Sequence, residues 1–183
     1  KTVFSSIDIS GRYAFGNQST IAHWNLTVFA GTLLPLISDN KKEAIQLAKD
    51  ILDKFSEEYS RKWYQMMFKK LGITKPLKND KVLVDTLLQL MEENKADYTN
   101  TFAALTLNKV SDDRLFTSNP FNEWQKQWGN RINHVDNRIK ALKLMQSQNP
   151  LVIARNHLVE SALEDATQGN KSQCNELIDL ISK

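Results

Sequence analysis

Little in this sequence equips it for covalent or metal chemistry. One cysteine, Cys174, stands among 183 residues, so no internal disulfide can form, which fits a reducing, cytosolic type of compartment. Three histidines, His23, His134 and His157, are scattered without the i, i+4 partner that zinc-binding helices use. Positive and negative charges nearly balance, 24 against 21, with no block of one sign, so composition does not announce a nucleic-acid binder. Long apolar runs are also missing. Ile21 to Ile37 comes nearest to a membrane span, but His23, Asn25, Thr27, Gly31, Thr32 and Pro35 interrupt it, and a buried core helix is expected instead. The opening at Lys1 has neither the basic start nor the apolar stretch of a secretory signal, and the chain is read as cut from something longer.

What is present is helical periodicity. Residues 1–18, rich in Ser, Gly and Asn, read as an extended arm or loop, and 19–183 as one helical domain. From Ser19, Ile21, Trp24, Val28, Leu33, Leu34 and Ile37 leave few directions around the helix polar, so it must be covered on most sides. After Asn40, apolar residues from Ile45 to Met67 recur at spacings of three and four. The pattern predicts one long helix to Leu71, about 45 Å at 1.5 Å per residue, ended by Gly72 in left-handed conformation. Further helices are expected over Asp80 to Asn94 and Ala96 to about Leu105. A loop follows over Asn108 to Ser118, then a helix from Asn119-Pro120 with a weak point between Gly129 and Asn133. Asn149-Pro150 repeats the start signal for a helix over Ile153 to Gln168, and a last one follows Asn170. No segment alternates with period two, so the fold class is all-α, an irregular bundle of about six to seven helices.

Candidate chemical groups all have plainer readings. Gly11 and Gly16 have the glycine spacing of a phosphate-binding P-loop, but Asn17 and Gln18 replace the Lys and Ser/Thr it needs. Cys174 shares a face with Leu177, Ile178 and Ile181 and is read as packing. Asp112-Asp113 and Glu164-Asp165 fall in a loop and at a helix end, where paired acids are common. Trp124 and Trp128 could stack a base, though core packing accounts for them better. Lys69 and Lys70, with Arg61 and Lys62 two turns earlier, read as a solvated helix end. Arg155-Asn156-His157 lies on an otherwise apolar helix and is expected to hold it to another element. The Asn-x-Ser/Thr triplets at Asn17, Asn25 and Asn170 are treated as chance. No catalytic, cofactor-binding or metal residue is assigned.

Several strings together resemble the selenoprotein O-like family: GRYAFGNQ at Gly11 to Gln18, IAHWNL at Ile21 to Leu26, LLPLI at Leu33 to Ile37, ADYTNTF at Ala96 to Phe102, and NPLVIARNHLVESAL at Asn149 to Leu163. The resemblance departs at Ser19, where the family pattern has proline, and the first nine residues match poorly. It implies a kinase-like parent protein that transfers AMP from ATP to Ser, Thr or Tyr of other proteins. ATP and Mg²⁺ or Mn²⁺ would be bound upstream of Gly11, so none is expected in this chain. The implied location is the cytoplasm of a bacterium or the mitochondrion of a eukaryote. The implied partners are the upstream kinase-like domain and the parent's protein substrates, with neither nucleic acid nor membrane.

The chain is therefore expected to be the C-terminal helical region of such an adenylyltransferase, inert by itself and prone to self-association through an apolar patch around the arm and the 21–37 helix. The alternative is a free-standing helical module that binds a partner helix in a groove lined by Trp and Met.

Overall fold

The structure is a computed structural model that describes residues 3, 7–109, 114–134 and 137–182. Among these every regular element is helical, and the all-α class stands. A 3-10 turn at Phe15–Asn17 leads into α1 (Gln18–Ile37), α2 (Lys41–Leu52), α3 (Phe55–Lys70), α4 (Asp80–Glu93), α5 (Tyr98–Leu107), α6 (Arg114–Thr117), α7 (Asn119–His134), α8 (Arg138–Gln148), α9 (Asn156–Thr167) and α10 (Ser172–Ile181). These helices form two compact units, Lys1–Gln65 and Met66–Lys183, with the division falling inside α3.

In the first unit α1 packs along α2. The side-chain oxygen of Asn40 caps α2 by accepting from the N–H groups of Lys42 and Glu43. The single helix expected from 41 to 71 is broken at Asp53–Lys54. The His23 ring nitrogen lies 3.3 Å from the Leu52 carbonyl, which an unbroken helix would direct to the N–H of Ser56, and the Lys54 N–H turns back to Ile51. Periodicity continues across the break because one turn of tighter helix barely shifts the apolar stripe, so spacing alone does not reveal it. Only two residues of this unit, Ala14 and Ala44, are buried among those described.

The second unit has a full core. Its buried large residues include Met67, Leu71, Ile73, Leu87, Phe102, Leu115, Phe121 and Met145, drawn from all its helices before α9. α4 and α6 pack on α7, and α8 lies against α5 and α7. α9 and α10 form a hairpin of their own. Asp80, 2% exposed, receives both Nε and a terminal nitrogen of Arg131 at 2.7 and 2.8 Å and also accepts the Leu77 N–H. That bidentate pair fixes the start of α4 to the end of α7.

Other boundaries depart from the sequence reading for local reasons. α7 passes through Gly129 unbroken, and its start is capped by Ser118, whose hydroxyl accepts the Phe121 N–H while donating to the Leu115 carbonyl. The stretch read as a loop over 108–118 contains α6, whose Leu115 and Phe116 are buried. Asn149 does not cap the next helix. It ends α8, its side chain is used elsewhere, and α9 starts only at Asn156. The extra break and the extra short helix raise the number of segments above six or seven.

Gly72 holds the left-handed conformation expected of it, with φ of 72°, and a Cβ there would lie 3.0 Å from both Cβ and the carbonyl oxygen of Ala141. Gly72→Ala is expected to cost roughly 1–3 kcal/mol in urea unfolding, from backbone strain and overpacking. Gly129→Ala, where a Cβ meets nothing within 4 Å, should instead raise stability by up to about 1 kcal/mol, because it removes the helix penalty of glycine.

Candidate functional site

The loop before α1 is held by its own side chains. The Asp8 carboxylate accepts the N–H groups of Arg12 and Tyr13, each at 2.8 Å, and Gly11 turns the chain with φ of 66°. The Asn17 amide donates to the Gly11 carbonyl at 2.8 Å and the Gln18 amide to the Tyr13 carbonyl at 2.6 Å. The Arg12 guanidinium then lies over the Trp24 ring, 4.4 Å from its centre. Beyond this clamp, Trp24, Val28 and Phe29 stay open on α1, Leu36 is 83% exposed, and Ile45 and Ile51 are open on α2. The buried core helix expected here is therefore not buried within this chain. Phe15–Ile37 is, by length and composition, apolar enough to cross a membrane. The first unit thus presents exposed aromatic and aliphatic side chains as a candidate docking face, where the sequence reading had placed an apolar patch.

Polar chemistry gathers in the second unit around Lys70. Its ammonium donates to the Gln148 carbonyl at 3.2 Å and to the Asn149 side-chain oxygen at 3.1 Å, and lies 5.0 Å from the Phe102 ring centre and 5.5 Å from that of Tyr98. Asn149, 2% exposed, donates in turn to the Lys70 carbonyl and the Thr106 hydroxyl, both at 2.9 Å. Burial pushes the Lys70 pKa down and the Tyr98 pKa up, since each is harder to charge away from water. Lys70 is thus not the solvated helix end expected of it. Its charge and stem tie the end of α3 to α5 and to the end of α8, while Lys69 stays exposed.

Arg155 behaves as expected. It grips Asp97 with two nitrogens at 2.7 and 3.1 Å and reaches the Asn100 side chain at 3.0 Å, anchoring the start of α9 to the start of α5. This hydrogen-bonded guanidinium holds the Asp97 carboxyl below the usual carboxylate range. Asn156 and His157 are exposed. Trp124 and Trp128, 2% and 6% exposed, stack on each other at 5.7 Å and donate to the Leu83 and Leu71 carbonyls, so they are core and not a platform. Cys174, half-buried, points its thiol at the Ala162 carbonyl. Asp165 accepts from Gln173. Asp112, Asp113 and the side chain of His134 lie outside the described residues.

Asn17 and Gln18, at the glycine-spaced loop, spend their amide donors on the loop's own carbonyls. Among the described residues no three of His, Cys, Asp and Glu come close enough to hold a metal ion.

Two of the strings quoted above thus meet within the second unit, where Asp97 and Asn100 of one bind Arg155 of the other. Comparison with known proteins agrees along the chain, for the family described as protein adenylyltransferase SelO matches residues 2–182. The chain belongs to the SelO family. The match reaches back to residue 2, ahead of the first of the strings. Named relatives include protein nucleotidyltransferase YdiU of Clostridium perfringens, 44% identical over 98% of this chain, and that of Bacillus cereus, 44% identical over 99%. This SelO chain spans only 37% and 38% of the length of those two relatives.

The braces at Lys70, Asn149, Thr106 and Asp80 escaped sequence reasoning, since their partners lie 43 to 79 residues away. Membership of Asn149 in a family string was the one available signal among these four.

Asn149→Ala leaves Thr106 and Lys70 short of partners in a buried place and is expected to lower unfolding stability by about 2–3 kcal/mol. Asp97→Asn keeps the cap on Asn100 but loses the charge pair. Because the folded Asp97 pKa lies below the unfolded value of about 3.9, the pair's contribution is complete at neutral pH and fades as pH falls below about 4 through the folded value. The urea midpoints of parent and variant should therefore differ at neutral pH and converge on acidification.

Proposed function

We propose that this chain is the helical region of a protein adenylyltransferase that supports an upstream kinase-like core and supplies no reacting group of its own. The observation that carries the reading is the first unit, where the only buried residues described are two alanines while Trp24, Val28, Phe29 and Leu36 face outward. A helix apolar around its circumference is stable in water only when other elements surround it. The relatives named YdiU contain well over half of their length outside the matched part, which is enough polypeptide to do so. In this reading the remainder of the parent covers α1 and binds ATP with Mg²⁺ or Mn²⁺. It then passes AMP to Ser, Thr or Tyr hydroxyls of protein substrates in the cytoplasm.

The test compares the isolated chain with the full-length parent. The chain should bind no fluorescent ATP analogue with either metal. It should show concentration-dependent mass by light scattering, and Trp24→Ser with Phe29→Ser should reduce that association. In the parent, α1 amides should be strongly protected from hydrogen exchange. ATP held by the isolated chain would end the proposal, as would an α1 that exchanges freely in the parent. Partition of the parent into phospholipid vesicles through α1 would replace the covering domain with a bilayer.

A further inference from the structure

On α7, Asn122, Gln125, Lys126 and Gly129 fall at i, i+3, i+4 and i+7 and so share one face. With Asn108 at the end of α5, Arg138 at the start of α8, and Trp128 and Ile132 beneath, they line an open groove of about 510 Å³ in the second unit. None of these lining residues is acidic. Among the described residues the side chains of Asn108, Asn122, Gln125 and Lys126 make no hydrogen bond or ion pair, and Arg138 makes one long bond, to the Asn133 side chain at 3.4 Å. Glu123 lies on the far flank of α7 and pairs with neither cation.

Two features set this groove apart from an ordinary solvated face. The first is electrostatic. The helix dipole favours carboxylates in a first turn, but α8 has none there and opens instead with Arg138 and Lys140, and no Asp or Glu occurs from Asn137 to Val159. The second is Gly129. In mid-helix glycine costs about 1 kcal/mol relative to alanine, yet among the described residues a Cβ there would meet nothing within 4 Å. Packing within the chain does not call for a glycine at this position, whereas any longer side chain would fill the groove and keep a ligand off the α7 backbone.

The lining also indicates the kind of ligand. A bare anion uses hydrogen-bond donors alone, whereas each of the three amides offers an acceptor beside its donors. A peptide main chain carries both kinds of group, and acidic side chains on it would match the two unpaired cations. We infer that the groove between α7 and α8 holds an acidic, extended peptide segment of another protein. Its carboxylates meet Lys126 and Arg138, and its main chain runs over Gly129 and exchanges hydrogen bonds with Asn108, Asn122 and Gln125. The inference rests on the groove alone and stands whether or not the parent transfers AMP.

The experiment uses the full-length parent protein and, as probe, a fluorescein-labelled peptide of alternating glutamate and glycine, which has no hydroxyl to be modified. Anisotropy should show saturable one-to-one binding that weakens as salt is raised. Lys126→Gln with Arg138→Gln, both exposed, should weaken it at least about tenfold and flatten the salt dependence. Lys78→Gln with Lys171→Gln, an equal loss of charge at exposed lysines outside the groove, should leave it unchanged. Gly129→Leu should unfold at a urea midpoint no lower than the parent's and still abolish binding, a split that a purely structural glycine would not produce. No binding, binding that survives Gly129→Leu, or equal losses from the two lysine and arginine pairs would overturn the inference. Free glutamate competing as well as the peptide would reassign the groove to a small anion and end the proposal. Binding that appears only after Asp112→Asn with Asp113→Asn would assign it to the chain's own acids, with the same result.

Discussion

Apolar surface has to be removed from water, and the two units of this chain meet that requirement to very different degrees. In the second, large side chains from six helical segments fill one core, and the tryptophan stack of α7 lies within it with both indole N–H groups satisfied. In the first, α1 and α2 cover one another along a single line and leave the rest of α1 open. A helix with apolar residues on every side cannot satisfy itself by pairing with one neighbour. That constraint makes the first unit depend on something outside it, and membership of a family whose relatives are more than twice as long gives the dependence a natural place.

Within the second unit, hydrophobic packing leaves the angles between helices only loosely defined, and polar braces complete the specification. Asp80 with Arg131 joins α4 to α7, Asn149 with Thr106 and Lys70 joins α8 to α5 and the end of α3, and Arg155 with Asp97 joins α9 to α5. Each brace sits at a helix end, where backbone carbonyls and N–H groups otherwise lack partners. The Lys70 ammonium does two jobs at once, satisfying the last carbonyl of α8 and lying over two aromatic faces. Its lowered pKa is the cost of that position, and the two acceptors and two rings offset it.

The family strings acquire a physical meaning from these braces. ADYTNTF supplies a cap, a cation–π face and half of an ion pair in Asp97, Tyr98 and Phe102. The string from Asn149 supplies the buried amide and the matching guanidinium. GRYAFGNQ encodes a loop that closes on itself, with Asp8 just before it accepting two of its N–H groups. These residues position the elements that carry them.

By itself the sequence determined the all-α class, the positions of most helices, the terminating role of Gly72 and the packing role of Trp124 and Trp128. Those properties follow from periodicity, capping and glycine conformation, which act over a few residues. It also carried the family, through strings spread over the chain. Only the tertiary structure decided that the long helix breaks after Leu52, that Asn149 is a buried brace and not a cap, that Lys70 is drawn inward, and that α1 lies bare. Each of these turns on a group distant in sequence: the ring of His23, the carbonyl of Lys70, the rings of Tyr98 and Phe102, or a covering surface not supplied by the residues described. Helical spacing is a local property of the chain, whereas the partner of a buried polar group is settled only when distant segments have come together.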